Sequence, residues 1–224
     1  MGECAMSEVE QCVSKPEGYF ETIPWELVGL VDPGNNIILD IGCGTGNTGE
    51  ALTRAGKAKQ VFGIELVATV AEMAKMKMDG VIVGDVEAIG RLPFAPETFD
   101  YIIAGDVLEH LKDPWRALER LRVFVKAEGF IIASIPNVRN WRIIKDLVFK
   151  GEWRYVEAGI LDNTHLRFFT KKTIVDMFTS CGYEVITILP RLRKRSHRIN
   201  RLSLGLFEEF LAGQYMCKAR KAAG

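Results

Sequence analysis

The 224-residue sequence has few of the features that mark secreted, membrane-spanning or nucleic-acid-binding proteins. Its five cysteines are odd in number, and no two are spaced C-x-x-C, so free thiols are expected rather than a disulfide framework. No apolar run reaches the roughly 20 residues of a membrane span, and no signal peptide is visible. Lys+Arg and Asp+Glu number 29 each, so the global charge attracts neither nucleic acid nor membranes. We therefore expect a cytoplasmic protein with no membrane span and with nucleic acid as an unlikely partner.

The apolar residues that are present occur in short runs that alternate with helical patterns. Strands are predicted, in chain order, at NIILDIG, QVFGIEL, GVIVGD, FDYIIAGD, GFIIASIP, YEVITILP and GQYMCKAR. The first five runs are continuously apolar, which is typical of parallel strands that are buried on both faces by helices. The predicted fold class is therefore α/β, with a Rossmann-like, doubly wound sheet and helices on both faces.

The pattern predicts a single domain over residues 19–220, preceded by a flexible N-terminus at residues 1–18. Residues 139–169 depart from simple alternation, with a helix over residues 139–150 and then an irregular, aromatic-rich segment. We interpret residues 139–169 as an insertion that caps the substrate. The basic stretch RLRKRSHRINR, residues 191–201, is predicted to be a solvated loop, with phosphate-bearing ligands or RNA as alternatives. A helix is predicted after it, over residues 202–212.

The segment ILDIGCGTGNTG, residues 38–49, predicts a buried strand followed by a glycine-rich turn. Its glycines fit both the dinucleotide fingerprint G-x-G-x-x-G and the pattern D-x-G-x-G-x-G. The first four predicted strands each end in a carboxylate, at Asp40, Glu65, Asp85 and Asp106. Acids at this edge would repel a pyrophosphate, which binds backbone N–H groups and a helix dipole. They suit S-adenosylmethionine (SAM), which carries an ammonium and a sulfonium, so SAM is favoured over NAD(P).

Five segments in this order, ILDIGCGTG, VFGIEL, VIVGDVE, FDYIIAGDVLEHLKDP and GFIIASIPN, resemble the successive motifs of class I SAM-dependent methyltransferases. The resemblance spans residues 37–218. It implies a seven-stranded sheet of order 3-2-1-4-5-7-6 with the last strand antiparallel.

The resemblance also implies a set of cofactor-binding residues. The glycine turn would hold the methionine moiety, Glu65 the ribose, Asp85 and Val86 the adenine edge, and residues 105–107 would lie beneath the sulfonium. The full predicted set is Tyr19, Asp40, Gly42, Cys43, Gly44, Gly46, Glu65, Leu66, Asp85, Val86, Gly105, Asp106 and Val107.

Two of the three histidines lie where methyl transfer to oxygen would need them. The reaction requires an aligned acceptor and removal of its hydroxyl proton, by a base or by a metal ion. His110, His165 and Asp106 are the predicted catalytic residues. An acid-x-x-Glu-His pattern followed by a later histidine is similar to the metal site of small-RNA 3′-terminal ribose methyltransferases and, in part, to ubiquinone-pathway O-methyltransferases. That similarity implies Mg²⁺ or Mn²⁺ bound by Asp106, Glu109, His110 and His165, although Asp106 is shorter than the family's glutamate. A metal-free base and a structural role stay open.

The predicted substrate contacts are Asn137, Trp153, Tyr155 and Arg167, because aromatic faces and hydrogen-bonding cations suit a sugar or another flat polar acceptor. The sequence thus predicts a SAM-dependent methyltransferase, monomeric or homodimeric, that acts on a hydroxyl of a small molecule or glycan. Three alternatives remain: an RNA ribose 2′-O-methyltransferase, an NAD(P)-dependent oxidoreductase, and a SAM-binding protein without catalysis.

Overall fold

The computed structural model describes residues 22–89 and 92–222. The predicted flexible N-terminus and Tyr19 lie outside the described residues. Seven strands form one sheet: β1 (Asn36–Ile41), β2 (Ala58–Glu65), β3 (Gly80–Val83), β4 (Phe99–Gly105), β5 (Val125–Pro136), β6 (Tyr183–Arg191) and β7 (Gln214–Lys221). The helices are α1 (Trp25–Leu30), α2 (Asn47–Arg54), α3 (Ala68–Ala74), α4 (Pro114–Arg122), α5 (Trp141–Lys150), α6 (Lys171–Ser180), α7 (Lys194–Leu202) and α8 (Glu208–Leu211), with a 3₁₀ turn at Leu108–His110.

The strand order is β3-β2-β1-β4-β5-β7-β6, which confirms the predicted topology. The five strands from β3 to β5 are parallel, and β7 runs antiparallel to both β5 and β6. The order reverses between β1 and β4, since β2 and β3 lie on one side of β1 and β4 and β5 on the other. In open α/β sheets such a switch point is where ligands bind, at the carboxyl ends of the strands.

Both faces of the sheet are buried, as the continuously apolar strands predict. Leu39 and Ile41 belong to one core cluster, together with Ile102 of β4. Ile38 belongs to the other cluster, together with Ile103. Successive side chains of a strand point to opposite faces, so β1 and β4 contribute to both cores and the sheet is the middle of three layers.

Helix α6 begins after a capping residue. Thr170 is its N-cap, accepting a hydrogen bond from the backbone N–H of Thr173, whose side chain accepts one from the N–H of Thr170. Gly182, with φ of +79°, follows the helix. Helix α5 likewise has an Asn140 cap and a left-handed Gly151 after its last turn. The 151–169 segment that follows α5 contains no helix or strand, as predicted.

The prediction of a solvated loop at residues 191–201 is wrong, because residues 194–202 form α7. Arg, Lys and Leu favour a helix, and the stretch has no glycine or proline to end one. The helix predicted over residues 202–212 is reduced to the four residues of α8. Leu204 and Gly205 both have positive φ, +49° and +84°, and this left-handed backbone separates α7 from α8. None of the described helices combines the length and apolar character needed to cross a membrane.

Candidate active site

The glycine turn after β1 lies at the switch point of the sheet. Gly42, Gly44 and Gly46 all have positive φ, from +54° to +80°, a backbone region that glycine adopts without strain. The N–H of Gly42 donates to the Ile64 carbonyl at 2.8 Å. A Cβ added to Gly42 would lie 2.7 Å from Val107 Cγ2. The close approach of Val107 therefore requires glycine at position 42.

A cavity of about 480 Å³ opens at this turn. Most of the predicted cofactor residues line it: Asp40, Gly42, Cys43, Gly44, Glu65, Leu66, Asp85, Val86, Gly105, Asp106 and Val107. Gly46 is not on the wall; it is the left-handed N-cap of α2 and packs against the backbone of Ala74. Its part is to form the turn rather than to contact a ligand.

The cavity is strongly acidic. Among the described residues on its wall, five carry a carboxylate and one, Arg191, carries a fixed positive charge; the acids are Asp40, Glu65, Asp85, Glu87 and Asp106. Burial, and secondarily the charge of Glu65, raises the pKa of Asp40 to about 8. A nearby cation would lower that pKa. The wall therefore fits a cationic ligand such as SAM and opposes a pyrophosphate.

The Glu65 carboxylate also fixes the shape of the turn. Its Oε2 accepts a hydrogen bond from the Gly44 N–H and its Oε1 one from the Val67 N–H, both at 2.9 Å. A carboxylate has about four acceptor positions, so Glu65 can hold the two loops and still accept from hydroxyls of a ligand.

A second, larger cavity of about 1030 Å³ adjoins the first. Asp106, His110 and Arg191 line both cavities. Most of the remaining wall is formed by α5, by the 152–165 segment and by residues at the start of α7. A donor in the first cavity and an acceptor in the second would therefore meet beside Asp106 and His110.

Glu109 lies at this junction with two histidines. The ligand atoms of Glu109, His110 and His165 all lie within 4.8 Å of one another. Glu109 is 1% exposed, and neither of its carboxylate oxygens has a hydrogen-bond partner among the described residues. Burial, with the charges of Asp106 and Asp162, raises its pKa well above the ordinary range. A buried, unsatisfied carboxylate is costly, and a bound cation would satisfy it.

Backbone carbonyls orient both imidazoles. His110 Nδ1 lies 3.2 Å from the Thr164 oxygen, and His165 Nδ1 lies 3.0 Å from the Ile160 oxygen. Each Nδ1 must carry the proton to donate these bonds, so in the neutral rings Nε2 carries a lone pair. His165 Nε2 is 3.9 Å from Glu109 Oε1. This arrangement of ligand and supporting carbonyl is the usual one in metal sites.

Asp106 does not belong to this cluster, although the sequence predicts it as a fourth ligand. Its Oδ1 accepts hydrogen bonds from Ser134 Oγ at 3.0 Å and from Gln214 Nε2. Burial raises its pKa to about 6. The φ of Asp106, +54°, is rare for a residue other than glycine. Such strained backbone often occurs at functional positions. The structure thus places Asp106 on both cavity walls, turned toward β5 and β7.

The four predicted substrate residues lie away from both cavity walls. Asn137 is fully buried, and its amide donates to the carbonyls of Glu209 and Ala212. Arg167 donates to the Lys112 carbonyl. These two side chains hold loops in place.

The aromatic pair Trp153 and Tyr155 of the 151–169 segment does not line the larger cavity. Trp153 and Tyr155 pack against Phe168, with ring centroids 5.2 and 6.3 Å apart. Their neighbours Glu152, Arg154 and Val156 line the larger cavity instead. Alternate residues of an extended segment point to opposite sides, and aromatic content alone does not reveal which side faces the ligand.

Sequence reasoning missed part of the larger cavity wall. Arg142 comes from α5, Arg193 and Lys194 from the start of α7, and Gln214 from the first residue of β7. Two of these residues, Arg193 and Lys194, belong to the basic stretch at residues 191–201 that the sequence shows. No local signal marks Gln214, because only the pairing of β7 with β5 and β6 brings it beside Asp106.

A family model described as "Methyltransferase domain" matches residues 39–133. The demethylmenaquinone methyltransferase of Bacillus cereus is 28% identical over 177 residues, which cover 71% of this chain and 74% of that protein. The ubiquinone biosynthesis O-methyltransferase of Rhodopseudomonas palustris is 33% identical over 130 residues, 57% of this chain and 49% of that protein.

Among solved structures, a SAM-dependent methyltransferase from Archaeoglobus fulgidus aligns with a TM-score of 0.65. The alignment covers 92% of this chain and 97% of that one at 16% identity. At this level of identity the alignment shows a shared fold.

Proposed function

This chain belongs to the class I SAM-dependent methyltransferases, and from that premise we propose that it transfers a methyl group to a hydroxyl oxygen of a small-molecule acceptor. The observation that carries the proposal is the Glu109, His110 and His165 cluster at the junction of the two cavities. A buried carboxylate beside two oriented imidazoles can acidify or deprotonate a hydroxyl.

In this proposal the smaller cavity binds SAM, which when bound supplies an electrophilic methyl on sulfur. Asp40 and the glycine turn bind its methionine end, and Glu65 accepts from the ribose hydroxyls. Asp85 and Val86 contact the adenine. Asp106, on both walls, orients the two ligands where the cavities meet.

Glu109, His110 and His165 fit a divalent metal ion as a site of one oxygen and two nitrogen ligands. Mg²⁺ is a hard cation that prefers oxygen ligands, so of the two predicted ions Mn²⁺ is the better candidate for a cluster with two imidazoles and without Asp106. A metal there would lower the pKa of a bound hydroxyl. His110 borders both cavities, so its Nε2 is the group we assign to accept the hydroxyl proton when no metal is bound.

The relatives agree with an oxygen acceptor in part. The Rhodopseudomonas palustris protein is named an O-methyltransferase, whereas the name of the Bacillus cereus protein specifies demethylmenaquinone and no acceptor atom. Trp153 and Tyr155, two of the residues that suggested a glycan acceptor, do not line the larger cavity.

Substitution of the cluster tests the proposal. We expect Glu109→Gln, His110→Ala and His165→Ala each to lower kcat at least about 100-fold, the size of a general acid–base or metal contribution, while S-adenosylhomocysteine still binds. The measurements are calorimetric titration with S-adenosylhomocysteine, titration of metal-stripped protein with Mn²⁺, and release of S-adenosylhomocysteine with phenol, diol and matched amine acceptors.

His197→Ala is the matched control, because His197 is exposed on α7 and lines neither cavity. It should keep wild-type turnover and any Mn²⁺ binding. Turnover near wild type in Glu109→Gln would remove the cluster from the mechanism. Methylation of the amine acceptors in preference to the hydroxyl acceptors would disprove oxygen as the target.

A further inference from the structure

Helix α7 and the residue before it form a cationic surface that the methyl-transfer site does not use in full. The cations are Arg193, Lys194, Arg195, Arg198 and Arg201, all exposed. None of them forms an ion pair with an acid in the described part of the chain, and no acidic residue occurs from position 191 to 207. We call these five residues the basic face. The whole chain has no net charge, so this concentration of positive charge is local.

An exposed apolar segment follows the basic face directly. Leu202, Leu204 and Leu206 are 83%, 94% and 81% exposed, and Phe207 is 53% exposed. We call residues 202–207 the apolar loop. Clustered, highly exposed large apolar side chains mark a surface that binds something apolar, whereas scattered ones need no explanation.

Helix α5, which also lines the larger cavity, ends in a second group of exposed apolar residues. Leu147, Val148 and Phe149 at its end are exposed, Phe149 to 82%. Neither α5 nor α7 has a buried residue, yet both contribute to the cavity wall. Two helices without a buried residue therefore line the same cavity.

We propose that the basic face and the apolar loop dock this protein onto an anionic phospholipid bilayer, with α5 as a second apolar contact. Lys and Arg side chains on a helix next to exposed Leu and Phe are the composition of interfacial, membrane-surface segments. Cations attract anionic headgroups, and the leucines enter the acyl boundary. RNA would satisfy the cations and leave the apolar loop in water, so the lipid surface is favoured. Docking brings the mouth of the larger cavity to the bilayer.

The test is co-sedimentation of the full chain with vesicles of phosphatidylcholine containing phosphatidylglycerol, and with phosphatidylcholine vesicles alone. Wild type should bind the anionic vesicles, less as salt is raised. The variant Arg195→Gln/Arg198→Gln/Arg201→Gln should bind about 100-fold more weakly, since each cation near an anionic surface contributes about fivefold. Leu204→Ser/Leu206→Ser should bind anionic vesicles about tenfold or more weakly than wild type. A purely electrostatic contact would not show this loss of affinity.

The matched control is Lys59→Gln/Arg116→Gln/Lys172→Gln, which removes the same charge from exposed cations elsewhere. It should bind anionic vesicles like wild type. Circular dichroism and thermal unfolding establish that each variant is folded. Equal vesicle binding by the α7 variant and the control would overturn the proposal. Binding of single-stranded RNA without binding of vesicles would overturn it as well and would make the basic face a nucleic-acid surface. Neither readout depends on methyl transfer.

Discussion

Asp40 lies buried at the end of β1, where its carboxylate faces the smaller cavity and senses the charge of Glu65. With no cation bound, its pKa is about 8 in the folded protein, against 3.8 in an exposed chain. The folded state therefore keeps a proton that the unfolded state releases as pH rises. A residue placed to bind a cation thus weakens the ligand-free protein at neutral pH.

Asp40→Asn should expose this trade between binding and stability. Below about pH 4 the Asp40 carboxyl of wild type is protonated in both the folded and the unfolded state. From about pH 4 to 8 the free energy of unfolding of wild type should fall as pH rises. The variant should show a shallower slope, because Asp106 and Glu109 still contribute to it, and should be more stable than ligand-free wild type at pH 8, on the order of 5 kcal/mol. It should also bind SAM at least about tenfold more weakly, because an ionised partner is lost.

Urea unfolding at several pH values and calorimetric titration with SAM measure both effects. Asp176→Asn is the control, since Asp176 is an exposed aspartate on α6 outside both cavities. It should match wild type in pH slope and affinity. Wild-type affinity in Asp40→Asn would contradict the placement of Asp40 in the cofactor site.

At the scale of elements, the turn between β1 and α2 depends on the residue that follows β4. Gly42 meets Val107 at a distance that leaves no room for a side chain. Two loops from neighbouring parallel strands therefore define one wall of the smaller cavity. The register of β1 against β4, with Ile41 opposite Ala104, brings them together.

The comparison of Gly42→Ala with Gly56→Ala should separate this contact from backbone strain. Both glycines have nearly the same φ, +65° and +67°, but a Cβ at Gly56 meets nothing within 4 Å. Gly56→Ala should lower the free energy of unfolding by about 1 to 2 kcal/mol, because alanine is strained in the left-handed conformation. Gly42→Ala should lower the free energy of unfolding by at least about 1 kcal/mol more, because the added methyl group overpacks against Val107. It should also abolish SAM binding.

Denaturant unfolding of both variants, with SAM titration, provides the measurement. Adding Val107→Ala to Gly42→Ala should recover part of the lost stability, because the added methyl then has space. Equal losses of stability in the two single variants would show that the contact between Gly42 and Val107 does not contribute to stability.

For the whole molecule, the two cores on opposite faces of the sheet share their strands. Cys43 lies in one core and Cys181 and Cys217 in the other, and all three are buried. Burial raises the pKa of each thiol, that of Cys217 to about 12. The burial of the thiols and their raised pKa both protect them from alkylation in the folded state.

Alkylation of Cys43, Cys181 and Cys217 at pH 8 should therefore require unfolding of the whole domain. Their peptide-resolved rates, followed by mass spectrometry at increasing urea, should rise together with the global unfolding transition, and SAM should slow all three. A much earlier rise for Cys43 alone would show instead that the glycine turn opens independently of the second core.

The sequence by itself determined the fold class and the acidic edge of the sheet, and its resemblance to class I SAM-dependent methyltransferases implied the strand order. Continuous apolar runs specify burial on both faces, and carboxylates placed after successive parallel strands must meet at one edge. The glycine turn is equally local, because its conformation excludes most other residues. His110 and His165 were candidates by residue type and position, and Glu109 was a candidate by similarity to the metal site of small-RNA methyltransferases.

Only the tertiary structure decided which candidates meet and which way they point. Glu109 and His165 are far apart in sequence, and the pairing of Leu166 and Arg167 N–H groups with the Glu109 carbonyl brings them together. Hydrogen bonds from Ser134 and Gln214 hold Asp106 apart from this cluster. Trp153 and Tyr155 turned to the opposite side of an extended segment. Such outcomes depend on packing between distant segments, which the local sequence does not encode.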